Sequence, residues 1–264
     1  MPSDTRLRDE RIQEAQRIID SAQKQNVLLR LIGGLAIRRH CEIIGFCERD
    51  YADIDLVGLR KQSPQIIKVM EALGYQEDAQ VAIATDGQRM LFLNPHSTDH
   101  IDIFLDTFEM EHSIDLKHRL TIEPYTISIS DLLLTKLQIH RLNEKDVRDI
   151  LTLIKDIPQG TTDEPGIINI TYIATLCAKD WGLYHDVTTN ITKVLQFLPN
   201  YSLSSTEIDH IRLSLHHIQT TIEQAPKGRK WQLRKRLGTR KTWRREVEDQ
   251  SEPPTMDDTS LSRS

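Results

Sequence analysis

Between Arg8 and Gln25 the apolar residues fall at Ile12, Ala15, Ile18, Ile19 and Ala22, the spacing of an amphipathic helix, with Asp9 and Glu10 in its first turn. The run Val27 to Ile32 is short, apolar and β-capable, and it ends at Gly33-Gly34, after which Leu35 to Cys41 reads as a helix. Asp53 to Val57 alternates between polar and apolar, which predicts a strand, followed by a helix from Ser63 to Leu73 that Gly74 terminates. Arg89–Leu93 and His100–Leu105 form a second pair of strand patterns around the turn-forming Asn94-Pro95-His96-Ser97, and Tyr125–Ile129 is a further strand candidate. Ser130 is the expected N-cap of a helix over 131–141, and Asn143 of one over 144–155. From Pro158 to Gly166 the chain reads as a linker. Beyond it the pattern is helical, with Ser204 and Glu207 as a capping box for the last helix, to about Glu223.

These elements predict an α/β (α+β) domain over 1–160 with a mixed sheet flanked by helices, a helical domain over 161–225, and a tail over 226–264. The tail changes the charge picture. The chain carries 39 acidic and 34 basic residues, a net of −5, yet residues 1–226 carry a net of −10 and residues 227–264 a net of +5. Ten bases lie between Lys227 and Arg245 without an acid among them, interleaved with Trp231 and Trp243. Such a stretch can track a phosphate backbone while its indoles stack on bases, or it can be a solvated, disordered tail. No apolar run approaches the roughly 20 residues of a membrane span, and Met1–Arg6 lacks the apolar core of a secretory signal. The three cysteines, Cys41, Cys47 and Cys177, are an odd number, which argues against a disulfide framework and for a reducing, cytoplasmic setting.

Asp53 and Asp55 stand two apart on a strand, so their carboxylates share a face, about 6.5–7 Å apart at Cα, and can converge on a hard divalent cation. Asp102 repeats the arrangement in the second strand, opposite the Ile101, Ile103 and Leu105 face. The alternative is a polar face in solvent, but carboxylates among strongly β-forming apolar neighbours are poorly placed unless paired or bound. Gly33-Gly34, between a strand and a helix, suits a turn whose amides approach a phosphate, or an ordinary tight turn. Lys136 is a charge within the apolar helix Leu132–Leu137, and Asp146 and Asp149 follow on the next helix; together they fit either a cleft or a solvated face. No Gly-rich dinucleotide motif, P-loop, zinc motif or serine-nucleophile elbow occurs.

The order Gly33-Gly34-Leu35-Ala36, Arg49, Asp53-Ile54-Asp55-Leu56 and Ile101-Asp102-Ile103-Phe104 resembles the nucleotidyltransferase superfamily, the polymerase-β-like fold. Ser130 to Leu137 followed by Glu144 to Ile150 is similar to the AbiEii-type nucleotidyltransferases, which often serve as toxins of toxin–antitoxin pairs. The resemblance implies that Asp53, Asp55 and Asp102 are the metal-binding and catalytic carboxylates. It places Gly33, Gly34, Arg49 and Lys136 at the nucleotide, and Asp146 and Asp149 in support. It also implies Mg²⁺ as cofactor, an NTP as substrate and an antitoxin as partner. An RNA end, reached through 227–245, a protein hydroxyl and a small molecule such as an aminoglycoside are the acceptor alternatives. A non-catalytic nucleotide- or partner-binding protein of the same fold is the rival reading.

Overall fold

The computed structural model describes residues 3–42, 45–47, 51, 53–97 and 100–245. In chain order the α/β part comprises α1 (Ser3–Lys24), β1 (Leu29–Ile32), α2 (Gly33–Arg39), β2 (Ile54–Gly58), α3 (Ser63–Ala72), β3 (Gln76–Glu77), α4 (Ala79–Ala84), β4 (Arg89–Leu93), β5 (His100–Leu105), β6 (Thr107–Glu109), β7 (Ser113–Asp115), α5 (Ile129–Leu137) and α6 (Glu144–Asp156). The strand pair β8 (Gln159–Gly160) and β9 (Ile168–Asn169) then leads into α7 (Ile170–Lys179), α8 (Trp181–Phe197), α9 (Ser205–Gln224) and α10 (Arg229–Leu237).

The main sheet is mixed and has the order β1-β2-β5-β4-β3, with β2 and β5 parallel at its centre and antiparallel pairs on either side. One face is apolar because alternate residues of every central strand agree. Leu29 and Leu31 of β1, Leu56 of β2, Ile101, Ile103 and Leu105 of β5, and Met90 and Phe92 of β4 are all buried. Against this core lie Ala15, Ile18, Ile19 and Ala22 of α1 and Ile66, Val69 and Met70 of α3. The opposite face carries Asp55, Asp102 and Arg89, brought together by the register Asp55↔Asp102 and Arg89↔Phe104. Helix α5 is buried along almost its whole length, with α6, α7 and α8 packed on it and α9 packed on those three, in one continuous apolar cluster that runs from Ile154 to Ile168 and Ile173. The architecture is the mixed sheet with a helical C-terminal region that the periodicity predicts. Among the described residues no helix is long and apolar enough to cross a membrane.

Several local expectations are corrected. Tyr125–Ile129 does not form a strand: Thr126 makes a single parallel bridge with Leu31, with Leu31 N–H donating to Tyr125 O and Ile127 N–H to Leu31 O, before α5 begins. The N-cap of α5 is Ser128, whose Oγ accepts from the Asp131 amide, whereas the Ser130 hydroxyl accepts from the Asn169 amide at 2.7 Å. The stretch read as a linker contributes β8, which pairs in parallel with β9. Cys41 and Cys47 are disulfide-bonded, with Cα atoms 6.5 Å apart, so the odd cysteine count misled and gives no ground for a reducing compartment; Cys177 is the buried free thiol. The tail is ordered over 229–240: Trp231 is buried and α10 packs on α8. Residues 246–264 lie outside the described residues.

Candidate active site

Strand β1 ends at Ile32, paired with Asp55, and the chain turns at Gly33 with φ of +76°. That conformation suits glycine, and a Cβ there would lie 2.9 Å from Asp55 Oδ2. The Gly33-Gly34 backbone is thus pressed against the Asp55 carboxylate. Asp53 leads into β2 and is exposed, Asp55 is half-buried, and Asp102, across the parallel register, is buried. Burial first, then the charges of Asp102 and Asp53, pushes the Asp55 carboxyl up to about 7, with Arg89 and Lys136 opposing.

Arg89 holds Asp102 bidentately, Nε to Oδ1 at 2.7 Å and Nη2 to Oδ2 at 2.6 Å. His100 Nε2 stands 3.7 Å from Asp53 Oδ1 and 3.9 Å from Asp102 Oδ2. Lys136 pairs with Asp146 at 2.9 Å and Asp149 at 3.0 Å. Burial pulls the Lys136 ammonium down, but the two carboxylates outweigh it and hold its pKa above the ordinary lysine value.

A cleft of about 970 Å³ opens over these groups. Of the expected site residues, Gly33, Gly34, Asp53, Asp55, Lys136 and Asp146 line it together. Asp102 and Asp149 do not: the first is buried with its carboxylate on Arg89, the second buried with its carboxylate on Lys136. Arg49 lies outside the described residues. Asp55 and Asp102 are nevertheless register partners on adjacent parallel strands, with Asp53 two residues before Asp55 and Asp102 held by Arg89; among the described residues no group of three such side chains is arranged to hold a metal ion. Lys136 is neither solvated nor free; it faces the cleft as the cation between two buried aspartates.

Sequence reasoning missed Arg89, which shares the cleft face with its cross-strand neighbour Asp102, and His100, two residues before Asp102 on the same face. Alternation within each strand held the signal, but only the register of β4 on β5 converts it into a pair. It also missed Glu109 and Glu111, which line the cleft from β6 and the turn after it, and it singled out the basic stretch ending at Arg244 and Arg245 without placing those two on the cleft.

The basic stretch departs most from expectation. The Trp231 indole is buried and donates to Cys177 O at 2.9 Å, and the Trp243 indole donates to both Asp186 oxygens at 3.1 Å. Trp231 is thus packed inside the protein and Trp243, half-buried, is held by Asp186, so neither is the loose aromatic of a solvated tail.

Residues 9–157 match the family described as nucleotidyltransferase of unknown function (DUF6036). The chain belongs to that family. The DUF6036 match covers the whole sheet, α5 and α6, and so every candidate site residue except those of the C-terminal strap. No curated protein sequence matches the chain. Similar solved structures include an antigenic nucleotidyltransferase-like protein from Paracoccidioides brasiliensis, at 13% identity and TM-score 0.45 over 76% of this chain and 93% of that one. The lincosamide antibiotic adenylyltransferase LnuA, lincomycin-bound, aligns at 20% identity and TM-score 0.38 over 53% of this chain and 94% of that one. ANT(2")-Ia in complex with adenylyl-2"-tobramycin aligns at 14% identity and TM-score 0.37, over 54% and 86%. The assignment to the nucleotidyltransferases rests on the family match; the AbiEii subtype is not supported by it.

Proposed function

We propose that this nucleotidyltransferase moves a nucleoside monophosphate from an NTP to an acceptor hydroxyl in the cleft lined by Gly33, Asp53, Asp55 and Lys136. The observation that supports this reading is the crowding at Asp55. A half-buried carboxyl raised to about 7 by burial and by two neighbouring carboxylates is a site where a cation gains more than it would at an isolated aspartate. The oxygen donors of Asp53 and Asp55, both on the cleft, suit Mg²⁺; those of Asp102 are engaged by Arg89. When bound, Mg²⁺ supplies charge that steadies the α-phosphate and the departing pyrophosphate.

The chain's own groups do the rest. The Gly33-Gly34 turn lines the cleft beside Asp55, so a cation on that carboxylate would draw the phosphate chain toward the turn's backbone. Lys136, charged because Asp146 and Asp149 keep it so, presents a fixed cation to the triphosphate. Arg89, fixed by its two bonds to Asp102, adds a second cation at the edge of β4. The acceptor oxygen bonds to the α-phosphorus as the bond to pyrophosphate breaks, and its proton leaves to a carboxylate of the cleft. With Trp231 buried and Trp243 fixed on Asp186, an RNA acceptor held by base stacking on the tail is not favoured.

The test is incubation of the purified protein with each α-labelled NTP, Mg²⁺, and in turn total RNA, cell protein and a panel of aminoglycosides. Label transfer that Asp53→Asn and Asp55→Asn abolish supports the reading. No transfer to any acceptor, or full activity in either variant, refutes it.

A further inference from the structure

The stretch from α10 to Arg245 is a strap fastened at two points, and it brings to the wall of the cleft Arg244, whose enclosed Nη1 no described residue satisfies. The first fastening is the buried Trp231. Arg234 then ties the turn, donating to Gly238 O and Lys241 O, each at 2.7 Å. The second fastening is Trp243, bonded to Asp186 and packed edge-on against Trp181 and His185, with ring centroids 6.3 Å and 5.3 Å away. Asp186 is itself set by His112 at 2.8 Å. The backbone seats closely as well: a Cβ on Gly182 would stand 2.6 Å from Trp243 O, so only glycine admits the strap here.

Immediately beyond this seat come Arg244 and Arg245, both on the cleft with Asp55 and Lys136. Arg245 is consumed locally, its amide on Glu111 O at 3.0 Å and its guanidinium on the Glu109 carboxylate. Arg244 is different. Its guanidinium lies 4.6 Å from the Trp243 ring centre, and its Nη1 is enclosed without a hydrogen-bond partner among the described residues. An enclosed guanidinium nitrogen left unpaired is unfavourable, and an anion in the cleft would satisfy it. The other cations here each carry a carboxylate partner that offsets their charge toward a phosphate: Asp102 on Arg89, Asp146 and Asp149 on Lys136, Glu109 on Arg245. Arg141, at the rim, is exposed. Set against Asp53, Asp55 and Glu111, the cleft needs a further positive group to hold a polyanion, and the planar fork of Arg244 matches phosphate oxygens.

We propose that Arg244, positioned by the Trp231–Trp243 strap, is a binding residue for the phosphate chain of the nucleotide. The proposal rests on the reading of the cleft as an NTP site. The test is binding rather than turnover, with Mg²⁺ complexes of each of the four NTPs and of inorganic tripolyphosphate titrated by calorimetry into the full chain. Arg244→Gln is expected to weaken NTP and tripolyphosphate alike by about tenfold or more, with Arg244→Lys partly rescuing it. Gly182→Ala, remote from the cleft, should weaken the same ligands by dislodging Trp243, with the melting temperature of each variant recorded alongside. Binding by Arg244→Gln within twofold of the wild type overturns the proposal, as does tighter binding, which would make the strap a cover rather than a ligand. If the wild type binds none of the five compounds, the NTP reading itself falls and this proposal with it, an outcome distinct from normal binding in both wild type and Arg244→Gln.

Discussion

Lys136 offers the sharpest quantitative check, because its two partners are buried. Replacing it by Met keeps the length and the packing of the side chain but removes the charge between Asp146 and Asp149. Those carboxylates are about 6% and 2% exposed, so water cannot take the place of the ammonium. Removing one partner of a buried ion pair costs about 3–5 kcal/mol. At about 2–4 °C per kcal/mol for a chain of this size, the melting temperature should fall by roughly 6–20 °C. A solvated helix face would instead forfeit about 0.2–0.5 kcal/mol per pair, a shift lost in the noise of a melt. The pH dependence carries the sign. In Lys136→Met two buried carboxylates lose their shared cation, and the penalty lasts only while they are ionised, so it is present at neutral pH and is relieved as acid protonates them. The gap between wild type and variant should therefore narrow from pH 8 to pH 5, as followed by urea unfolding. Adding Asp146→Asn and Asp149→Asn should restore most of the stability, since the amide introduced by Asp146→Asn keeps a carbonyl oxygen that can accept the reciprocal capping bond from the Asn143 backbone at the start of α6. A Lys136→Met protein melting within 2 °C of the wild type, or one that the added substitutions fail to rescue, would refute the argument.

Other outcomes follow from the same geometry. Asp55→Asn should stabilise the metal-free protein: Asp55 is raised in the fold to about 7, so its unfavourable ionisation develops as the pH rises from about 4 through 7, and the gain should be complete above pH 7 and absent near pH 4 in denaturant titrations. Gly33→Ala, forced to φ of +76° with its Cβ against Asp55 Oδ2, should lose about 1–3 kcal/mol and most nucleotide affinity, read by urea unfolding and calorimetry. Trp231→Ala should cost about 3–5 kcal/mol, because a large buried ring and its bond to Cys177 O are lost together; a melting temperature equal to the wild type's would return the stretch to the status of a loose tail.

Much of this protein is written locally. Alternation in β2 and β5 put Asp55 and Asp102 on the face opposite Leu56 and Ile103, because side chains in a strand change face at every residue wherever the strand is placed. The caps at Asn143 and Ser204, and the Gly33-Gly34 break between strand and helix, were equally legible, since each depends on bonds or dihedral angles within a few residues. The family resemblance also lay in the sequence, in the order of those blocks. What pairing and packing decided was invisible there. Arg89 meets Asp102 only once β4 takes its register on β5, and that contact gives the third carboxylate a cation that spacing within one strand could not reveal. Lys136 acquires its two aspartates only when α6 packs on α5, so a charge readable as solvated becomes buried. Cys41 and Cys47 pair although the count of three argued otherwise, because a disulfide depends on proximity and not on parity. The basic stretch shows the same limit most clearly: composition gave it charge and tryptophans, but the Cys177 carbonyl and the Asp186 carboxylate decided where those indoles went, and so which arginine reached the cleft.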